Sequence, residues 1–207
     1  MCGAVPVKRG KRLVGLLVRL DGAARVAALK RSLETPAARG RRLRAALEAR
    51  PDTVVFVCHG NIMRSAFALA WARAKHPGMA ARLLGAGTHA VRGRPAQASA
   101  LLVAAEMGMP LNEHAATPLA GVEPGENALI ICMDRANEAN AIAFWPELGP
   151  RIFLIGDIAA VGGDGIGKVM EREVRDPYAR GDDATRAAFR AVVELVGAWA
   201  GGLGLGE

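Results

Sequence analysis

A short apolar run that leads directly into a polar loop constrains this chain more than any other feature. Residues 53–57 read Thr-Val-Val-Phe-Val, which is brief, rich in β-branched side chains and free of alternation. Such a run is typical of a strand buried on both faces of a parallel sheet. From Ala66 to Ala72 most residues are good helix formers, and no glycine or proline follows before Pro77. The sequence therefore predicts a strand, a loop and a helix in direct succession.

The loop between this strand and this helix has the chemistry of an anion site. Residues 58–65 read Cys-His-Gly-Asn-Ile-Met-Arg-Ser. The first amides of a helix are unpaired and favour an anion, Gly60 lets the backbone approach a ligand closely, and Asn61 tolerates unusual backbone angles. Arg64 adds a planar guanidinium that can bind two oxygens of a phosphate. The same positive field favours the thiolate form of Cys58, so the loop is suited to take a phosphoryl group onto sulfur.

The octet resembles the pattern Cys-x-Gly-Asn-x-Cys-Arg-Ser of the low-molecular-weight protein tyrosine phosphatases. A second match is Asp176-Pro177-Tyr178, between the predicted last strand and last helix, where that family carries its acid loop. The resemblance covers about residues 52–200. It implies hydrolysis of protein phosphotyrosine through a phosphocysteine intermediate, with inorganic phosphate as product and no metal or other cofactor.

The resemblance also implies a role for each catalytic residue. Cys58 attacks phosphorus while Arg64 and the loop amides hold the phosphate oxygens. Asp176 protonates the tyrosine oxygen and then activates water. Ser65 donates a hydrogen bond to the sulfur. The positive field of the loop replaces a metal ion in this scheme.

Other residues are expected to support the site or to contact substrate. His114 matches a family histidine that supports Asn61, and Pro177 restricts the acid loop. Substrate contacts are expected from His59, Gly60, Asn61, Ile62, Met63, Ser65, Val91 and Tyr178.

Several positions depart from the family pattern. Met63 replaces the second loop cysteine, so a disulfide with Cys58 cannot form, and Gly85 replaces a serine that contributes a hydrogen bond to the supporting network. Val91 stands where eukaryotic members often have an aromatic side chain. A small aliphatic residue there resembles the bacterial members linked to exopolysaccharide kinases, which makes a tyrosine kinase a candidate substrate. Ala179 follows Tyr178, where many members have a second tyrosine.

The remaining pattern predicts a three-layer α/β/α fold with a four-stranded parallel sheet. Further strands are predicted at residues 82–86, 128–132 and 151–155, and helices at residues 97–107, 135–144 and 183–200. In such sheets ligands bind beyond the carboxyl ends of the strands, where Cys58 lies. A glycine-rich stretch at residues 162–167 nearly spells a nucleotide-binding loop, but Val169 replaces the required Ser or Thr. We interpret the stretch as a mobile loop that leads to Asp176.

The first 50 residues differ from the rest in charge and are interpreted as a separate helical extension, with the phosphatase domain at residues 51–207. They contain 13 Lys or Arg and 3 Asp or Glu, whereas the remaining residues contain 14 and 17. An apolar stripe from Leu13 to Leu20, a second segment at residues 23–32 and the helix start Thr35-Pro36 predict two or three helices. These helices either pack on the domain with a solvated basic face or bind an acidic partner or a membrane surface; nucleic acid has no clear signal. An organelle transit peptide is a further interpretation.

The cysteine count and the hydropathy bear on the cellular compartment. The 3 cysteines are widely spaced and predict neither a disulfide framework nor a metal site, and a thiolate nucleophile requires a reducing compartment such as the cytoplasm. No apolar stretch approaches the length of a membrane span.

Two other functions stay open on the sequence alone. One is an arsenate reductase of the same fold, although Cys132 has no second cysteine in the helix that follows it. The other is an inactive phosphotyrosine-binding module, against which the joint presence of Cys58, Arg64 and Asp176 argues.

Overall fold

The computed structural model describes residues 21–77, 82–159 and 173–200. Its centre is a parallel four-stranded sheet in the order β2-β1-β3-β4. The strands are β1 Thr53–Cys58, β2 Leu83–Gly87, β3 Ala128–Cys132 and β4 Ile152–Leu154. The predicted fold class and strand number are thus confirmed.

Helices cover both faces of the sheet. They are α1 Gly22–Leu33, α2 Pro36–Glu48, α3 Arg64–Lys75, α4 Ala98–Glu106, α5 Arg135–Phe144, α6 Ile155–Ala159 and α7 Gly181–Ala200, with 3₁₀ turns at Leu119–Gly121 and Pro146–Arg151. Successive side chains of β1 point to opposite layers. Val54 and Phe56 pack in a core with residues of α3, α4 and α7, while Val55 and Val57 pack with residues of α5.

The structure differs from the sequence predictions mainly at element ends. The predicted strand at residues 151–155 is shortened to Ile152–Leu154, and Ile155 already begins α6. The Asp157 carboxylate accepts a hydrogen bond from Leu154 N at 3.0 Å, which turns the chain away from the sheet. The other strands and helices begin or end within two residues of the predicted positions.

The predicted start of α2 is confirmed in its capping details. Thr35 Oγ1 accepts a hydrogen bond from Ala38 N at 3.2 Å, and Pro36 occupies the first turn. Asp21 caps α1 in the same way, accepting from Ala24 N at 3.0 Å. The apolar stripe at residues 13–20 and the glycine-rich stretch at residues 162–167 lie outside the described residues.

The two N-terminal helices pack against the α/β layers. Ala24 and Ala28 of α1 contact Ala139 of α5, and Leu43 of α2 belongs to the same core as β1. Within the described residues, no helix combines the length and the hydropathy that crossing a membrane would need.

Arginines of these helices cover the strand at the outer end of the sheet. Arg42 and Arg31 donate to the carbonyl oxygen of Ile152 at 3.0 and 3.2 Å, and the Arg42 guanidinium lies 4.0 Å from the centre of the Phe153 ring. The expected solvated basic face is therefore wrong for these two arginines and for Arg39, which is 8 % exposed. Their charges are held inside the fold by carboxylates instead of by water.

Candidate active site

The carbonyl groups of the loop between β1 and α3 are directed away from the loop's centre. Four of them accept hydrogen bonds from amides outside the loop: Cys58 O from Thr88 N (2.9 Å), His59 O from His89 N (2.8 Å), Ile62 O from Gln97 N (3.0 Å) and Met63 O from Phe67 N (2.9 Å). In a trans peptide the next N–H points opposite to the carbonyl. The amides of Gly60, Met63 and Arg64, which follow three of these carbonyls, are therefore directed into the loop, where they can hold an anion, while His59 N lies 3.3 Å from the Asn137 side chain.

The sulfur of Cys58 lies at the carboxyl end of β1 and receives two donors. Asn61 N donates to Sγ at 3.2 Å, and Ser65 Oγ donates at 3.0 Å. Cys58 is only 3 % exposed, so these donors and the amino end of α3 dominate its surroundings. These two contacts fix the position of the sulfur relative to the loop and to α3.

Asn61 holds the loop in its curved shape. Its φ is +50°, in the left-handed region that asparagine tolerates better than most residues. Its side-chain Nδ2 donates to Ser65 Oγ at 2.8 Å, and Oδ1 accepts from Thr117 N at 2.9 Å. Because both ends of this amide are bonded, a change at Asn61 would release the loop at two points.

His114 contacts the loop from outside. Its Nε2 lies 2.5 Å from the carbonyl oxygen of Asn61, and since a carbonyl only accepts, the ring hydrogen is on Nε2. Burial lowers the pKa of His114, and the bond to Asn61 only partly opposes this effect. The neutral imidazole can therefore keep this contact without a buried charge.

Two glycines of β2 allow the strand to lie close to the loop. A Cβ atom at Gly87 would lie 2.8 Å from Asn61 N and from the carbonyl carbon of Gly60, so no larger residue fits there. At Gly85, where the family has serine, a Cβ atom would lie 3.1 Å from Asn61 Nδ2. Glycine has no hydroxyl group here, so the bond expected from a serine is absent, while Asn61 Nδ2 still donates to Ser65 Oγ at 2.8 Å.

Arg64 begins α3 and connects the loop with the acid motif. The side chain is 1 % exposed, and its Nη1 donates to Asp134 Oδ2 at 2.7 Å and to Val174 O at 2.9 Å. Its Nη2 lies 2.9 Å from Asp176 Oδ2. Burial lowers the pKa of Arg64, but the negative charges of Cys58, Asp134 and Asp176 outweigh burial and raise the pKa above its ordinary value.

One nitrogen of Arg64 has no bonding partner in the described part of the chain. Its Nε is buried and makes no hydrogen bond there. A buried donor without an acceptor is costly, and an oxygen of a bound phosphate would supply that acceptor. The guanidinium thus keeps one donor for an oxyanion while its Nη1 is fixed by the protein.

Asp134 was not assigned a role from the sequence. It lies two residues after the end of β3, caps α5 by accepting from Asn137 N at 2.8 Å, and binds Arg64 through its other oxygen. The available signal was positional: an acidic residue between a buried strand and a helix, at the edge of the sheet where Cys58 lies.

The acid motif lies on a partly open loop. The side chain of Asp176 is 43 % exposed, and its Oδ1 accepts from Tyr178 N at 3.3 Å. Pro177 is buried, and its carbonyl accepts from Arg180 N at 3.0 Å. Tyr178 is half-exposed, as an aromatic side chain that packs on a substrate ring would be.

The other predicted contact residues divide into two groups. Ile62 and Met63 are buried in the main core, so they can offer a ligand only their amides. His59 is exposed and stacks on His89, with ring centres 4.5 Å apart. Val91 is exposed on the loop after β2, and its part in binding stays a prediction.

Cys132 has the properties of a core residue. Its side chain is completely buried in β3, and burial raises the pKa of its thiol well above the ordinary value. Both Cys58 and Cys132 are free thiols. A redox relay between these two cysteines has no support in this geometry.

Comparison with known proteins finds a matching family and several related proteins. The profile of a family described as low molecular weight phosphotyrosine protein phosphatase matches residues 53–204. A probable low molecular weight protein-tyrosine-phosphatase, EpsP of Ralstonia nicotianae, is 32 % identical over 148 residues, covering 71 % of this chain and 92 % of that protein. The low molecular weight protein-tyrosine-phosphatase Etp of Escherichia coli K12 is 28 % identical over 149 residues, covering 72 % and 93 %.

Solved structures share the fold. The tyrosine phosphatase Wzb of Escherichia coli K30, in complex with sulphate, has a TM-score of 0.64 at 24 % identity and covers 74 % of this chain and 99 % of its own. An arginine phosphatase, YwlE of Geobacillus stearothermophilus, has a TM-score of 0.60 at 25 % identity, covering 72 % and 91 %.

Proposed function

The chain belongs to the low molecular weight phosphotyrosine protein phosphatase family and is a protein-tyrosine phosphatase, and we propose that Cys58 is its nucleophile, Arg64 its phosphate-binding residue and Asp176 its general acid. One observation carries this assignment. Arg64 lies between the loop that surrounds the Cys58 sulfur and the carboxylate of Asp176, 2.9 Å from the latter. The loop of residues 58–65 and the distant Asp176 are thereby combined in one site.

In the first step the thiolate of Cys58 attacks phosphorus. A sulfur–phosphorus bond forms, and the bond from phosphorus to the tyrosine oxygen breaks with its electron pair moving to that oxygen. Asp176 donates the proton that makes the leaving group a neutral tyrosine. The loop amides and Arg64 hold the three equatorial oxygens, whose negative charge they stabilise.

In the second step water replaces sulfur on phosphorus. The carboxylate of Asp176 accepts a proton from the attacking water, the sulfur–phosphorus bond breaks, and inorganic phosphate leaves. The Ser65 hydroxyl, 3.0 Å from Sγ, donates to the departing thiolate. No redox partner is needed, since the sulfur returns to its starting state.

The ion pair between Arg64 and Asp176 indicates the order in which phosphate binds and the acid becomes available. The Nη2 group that a phosphate oxygen would engage is bound to the acid. Binding of the substrate phosphate would take over this donor and release the Asp176 carboxyl group towards the leaving oxygen. The acid then becomes available only when the loop is filled.

A trapping experiment tests the assignment directly. The Asp176→Asn variant lacks the base for the second step, so brief mixing with para-nitrophenyl phosphate that carries a labelled phosphoryl group, an ester whose leaving group needs no proton, should leave phosphate on the protein. Mass spectrometry of peptides should place it on Cys58, and the Cys58→Ala/Asp176→Asn double variant, which has no nucleophilic atom at position 58, is the matched control. Label on another residue, or label retained by the control to the same extent, would remove Cys58 from the mechanism.

The same experiment separates the other functions. A binding module would bind a tyrosine phosphopeptide but would form neither the covalent label nor inorganic phosphate. An arsenate reductase would consume a thiol reductant with arsenate, a reaction for which the buried Cys132 offers no relay. Because an arginine phosphatase shares the fold, a phosphoarginine peptide should be assayed beside the phosphotyrosine peptide.

The partners and compartment form a second part of the proposal. We propose that the phosphotyrosine substrate is a tyrosine kinase, that the protein works in the cytoplasm, and that α1 faces an acidic surface. Val26, Leu29 and Leu33 are 54, 48 and 77 % exposed and follow helical spacing along one side of α1, with Lys30 beside them. An apolar stripe flanked by basic residues fits an anionic membrane or an acidic protein. Vesicles with and without anionic lipid test this, with Leu29→Gln/Leu33→Gln as the variant expected to lose binding.

A further inference from the structure

A cluster of buried charges joins the N-terminal helices to the α/β layers. Arg39 of α2 lies at its centre, with Nη1 2.6 Å from Asp157 Oδ2 and Nη2 3.3 Å from Glu138 Oε1. Arg31 of α1 contacts the same Glu138 oxygen at 3.5 Å. The side chains of Arg39, Glu138 and Asp157 are 9, 3 and 4 % exposed. Buried charges keep their position only when they are paired, so this cluster fixes the elements that carry it.

The cluster is one helical turn from the catalytic site. Glu138 and Asp134 are four residues apart on α5, and Glu138 N donates to Asp134 O at 2.9 Å. Asp134 caps α5 through one carboxylate oxygen and binds Arg64 through the other. A shift of α5 would therefore move the carboxylate that orients the guanidinium.

The outer side of α5 is also held by the N-terminal helices. Ala24 and Ala28 of α1 pack on Ala139, with Ala136 and Ala143 beside it. Alanines allow close approach of the two helices but supply little side-chain interlocking. The charges on Arg31 and Arg39 add ion pairs with Glu138 at 3.5 and 3.3 Å, which hold α5 by electrostatic attraction, since Glu138 Oε1 makes no hydrogen bond among the described residues.

We propose that Arg39 is a positioning residue for the phosphatase reaction. It acts through Glu138, which holds α5, and so through Asp134, which holds Arg64. The proposal rests on the assignment of Arg64 as the phosphate-binding residue. It makes α1 and α2 part of the catalytic unit, although the family profile begins only at residue 53.

The first test is a double-mutant cycle between Arg39→Met and Asp134→Asn. We expect Arg39→Met alone to weaken inorganic phosphate binding and to lower kcat/KM for aryl phosphates, each by roughly 2- to 30-fold. In the Asp134→Asn background the same change should have almost no further effect, because the path to Arg64 is already broken. Calorimetry gives the phosphate affinity, under conditions where circular dichroism shows every variant to be folded.

Matched variants separate positioning from stability. Arg41 is exposed on the same helix, so Arg41→Met is expected to leave affinity and kcat/KM unchanged. Arg39→Lys keeps the charge but cannot reach both carboxylates, and partial recovery is expected. Glu138→Gln preserves shape and should reproduce the loss of phosphate affinity even if Arg39→Met does not fold.

Two outcomes would overturn the proposal. One is a folded Arg39→Met or Glu138→Gln protein with the phosphate affinity of the wild type. The other is losses that multiply in the double variant, which would indicate independent effects. Failure of the proposed function looks different: the wild type would bind phosphate without turnover, and the cycle could still be read from affinity alone.

Discussion

Among the described residues, Arg39 and Arg64 are both buried beside carboxylates, and the contrast between their surroundings distinguishes a catalytic site from a structural support. Arg64 is 1 % exposed and faces Asp134 and Asp176, whereas Arg39 is 8 % exposed and faces Glu138 and Asp157. The Asp176 side chain is 43 % exposed, but none of the three carboxylates beside Arg39, those of Glu34, Glu138 and Asp157, exceeds 14 %. The first cluster opens to solvent on one side, while the second is closed.

The two guanidinium groups differ in how many of their nitrogens are paired with other groups of the protein. Arg64 Nε is without a hydrogen-bond partner among the described residues, and its Nη2 contacts a carboxylate that can move. All three nitrogens of Arg39 have a carboxylate within 3.3 Å. Removing one partner of such a closed cluster typically costs about 3–5 kcal/mol of stability. Changes near Arg64 should therefore appear mainly in kinetics, and changes near Arg39 mainly in stability.

The largest effect is expected at the open cluster from Cys58→Ser. Loss of the nucleophile should lower kcat by on the order of 10⁴–10⁶, as for other nucleophile deletions. Phosphate binding and the free energy of unfolding should change little, because serine preserves the shape of the loop. Stopped assays with para-nitrophenyl phosphate, beside thermal unfolding, measure both. Turnover close to that of the wild type would contradict the distinction between an open catalytic cluster and a closed structural one.

The second largest effect is expected from a substitution of Asp176, the exposed carboxylate of the open cluster. Asp176→Asn should slow hydrolysis of phenyl phosphate by roughly 10²–10⁴ and of para-nitrophenyl phosphate much less, since a good leaving group needs no proton. The comparison of kcat between the two esters is the measurement. An equal loss for both esters would assign Asp176 a structural role like that of Asp157.

Parallel lysine substitutions compare the two arginines themselves. Arg64→Lys keeps the charge but loses the planar fork and should lower kcat/KM by roughly 10²–10³. Arg39→Lys should reduce kcat/KM far less and mainly lower the free energy of unfolding in urea. If the loss in kcat/KM relative to the loss in free energy of unfolding were the same for both variants, the two arginines would not differ in role.

The smallest effect is a pH dependence of the closed cluster. Burial raises the pKa of Glu138, and Arg39 and Arg31 only partly oppose it. Its proton is therefore held more tightly in the folded than in the unfolded protein, so its contribution to stability falls as the pH rises above the unfolded value, about 4.3. Urea unfolding across this range should show wild-type stability falling relative to Glu138→Gln. If the difference in stability between the wild type and Glu138→Gln did not vary with pH, a raised pKa of Glu138 would be contradicted.

The sequence predicted the open cluster better than the closed one for a physical reason. Residues 58–65 form one strand–loop–helix unit, so their order alone indicates an anion site. The acid loop followed from its resemblance to a family motif, since nothing local links Asp176 to the loop. Asp134 was missed because a single aspartate after a strand is also a common helix cap.

The closed cluster around Arg39 could not be predicted from the sequence. Arg39 is one of many basic residues near the N-terminus, and its partners lie on α5 and α6. Composition predicts that such an arginine is solvated, and only tertiary packing reverses this. The end of β4 was missed similarly: the apolar run continues to Ile155, but the Asp157 carboxylate binds Leu154 N and ends the strand.

The arginines that bind the Ile152 carbonyl also affect how the protein behaves with neighbours at high concentration. A terminal strand with free backbone groups is a template on which another molecule can add its own strand. Arg31 and Arg42 occupy that position on β4. A protein shortened to begin near Thr53 would leave this carbonyl uncovered and is expected to self-associate more readily than the full chain.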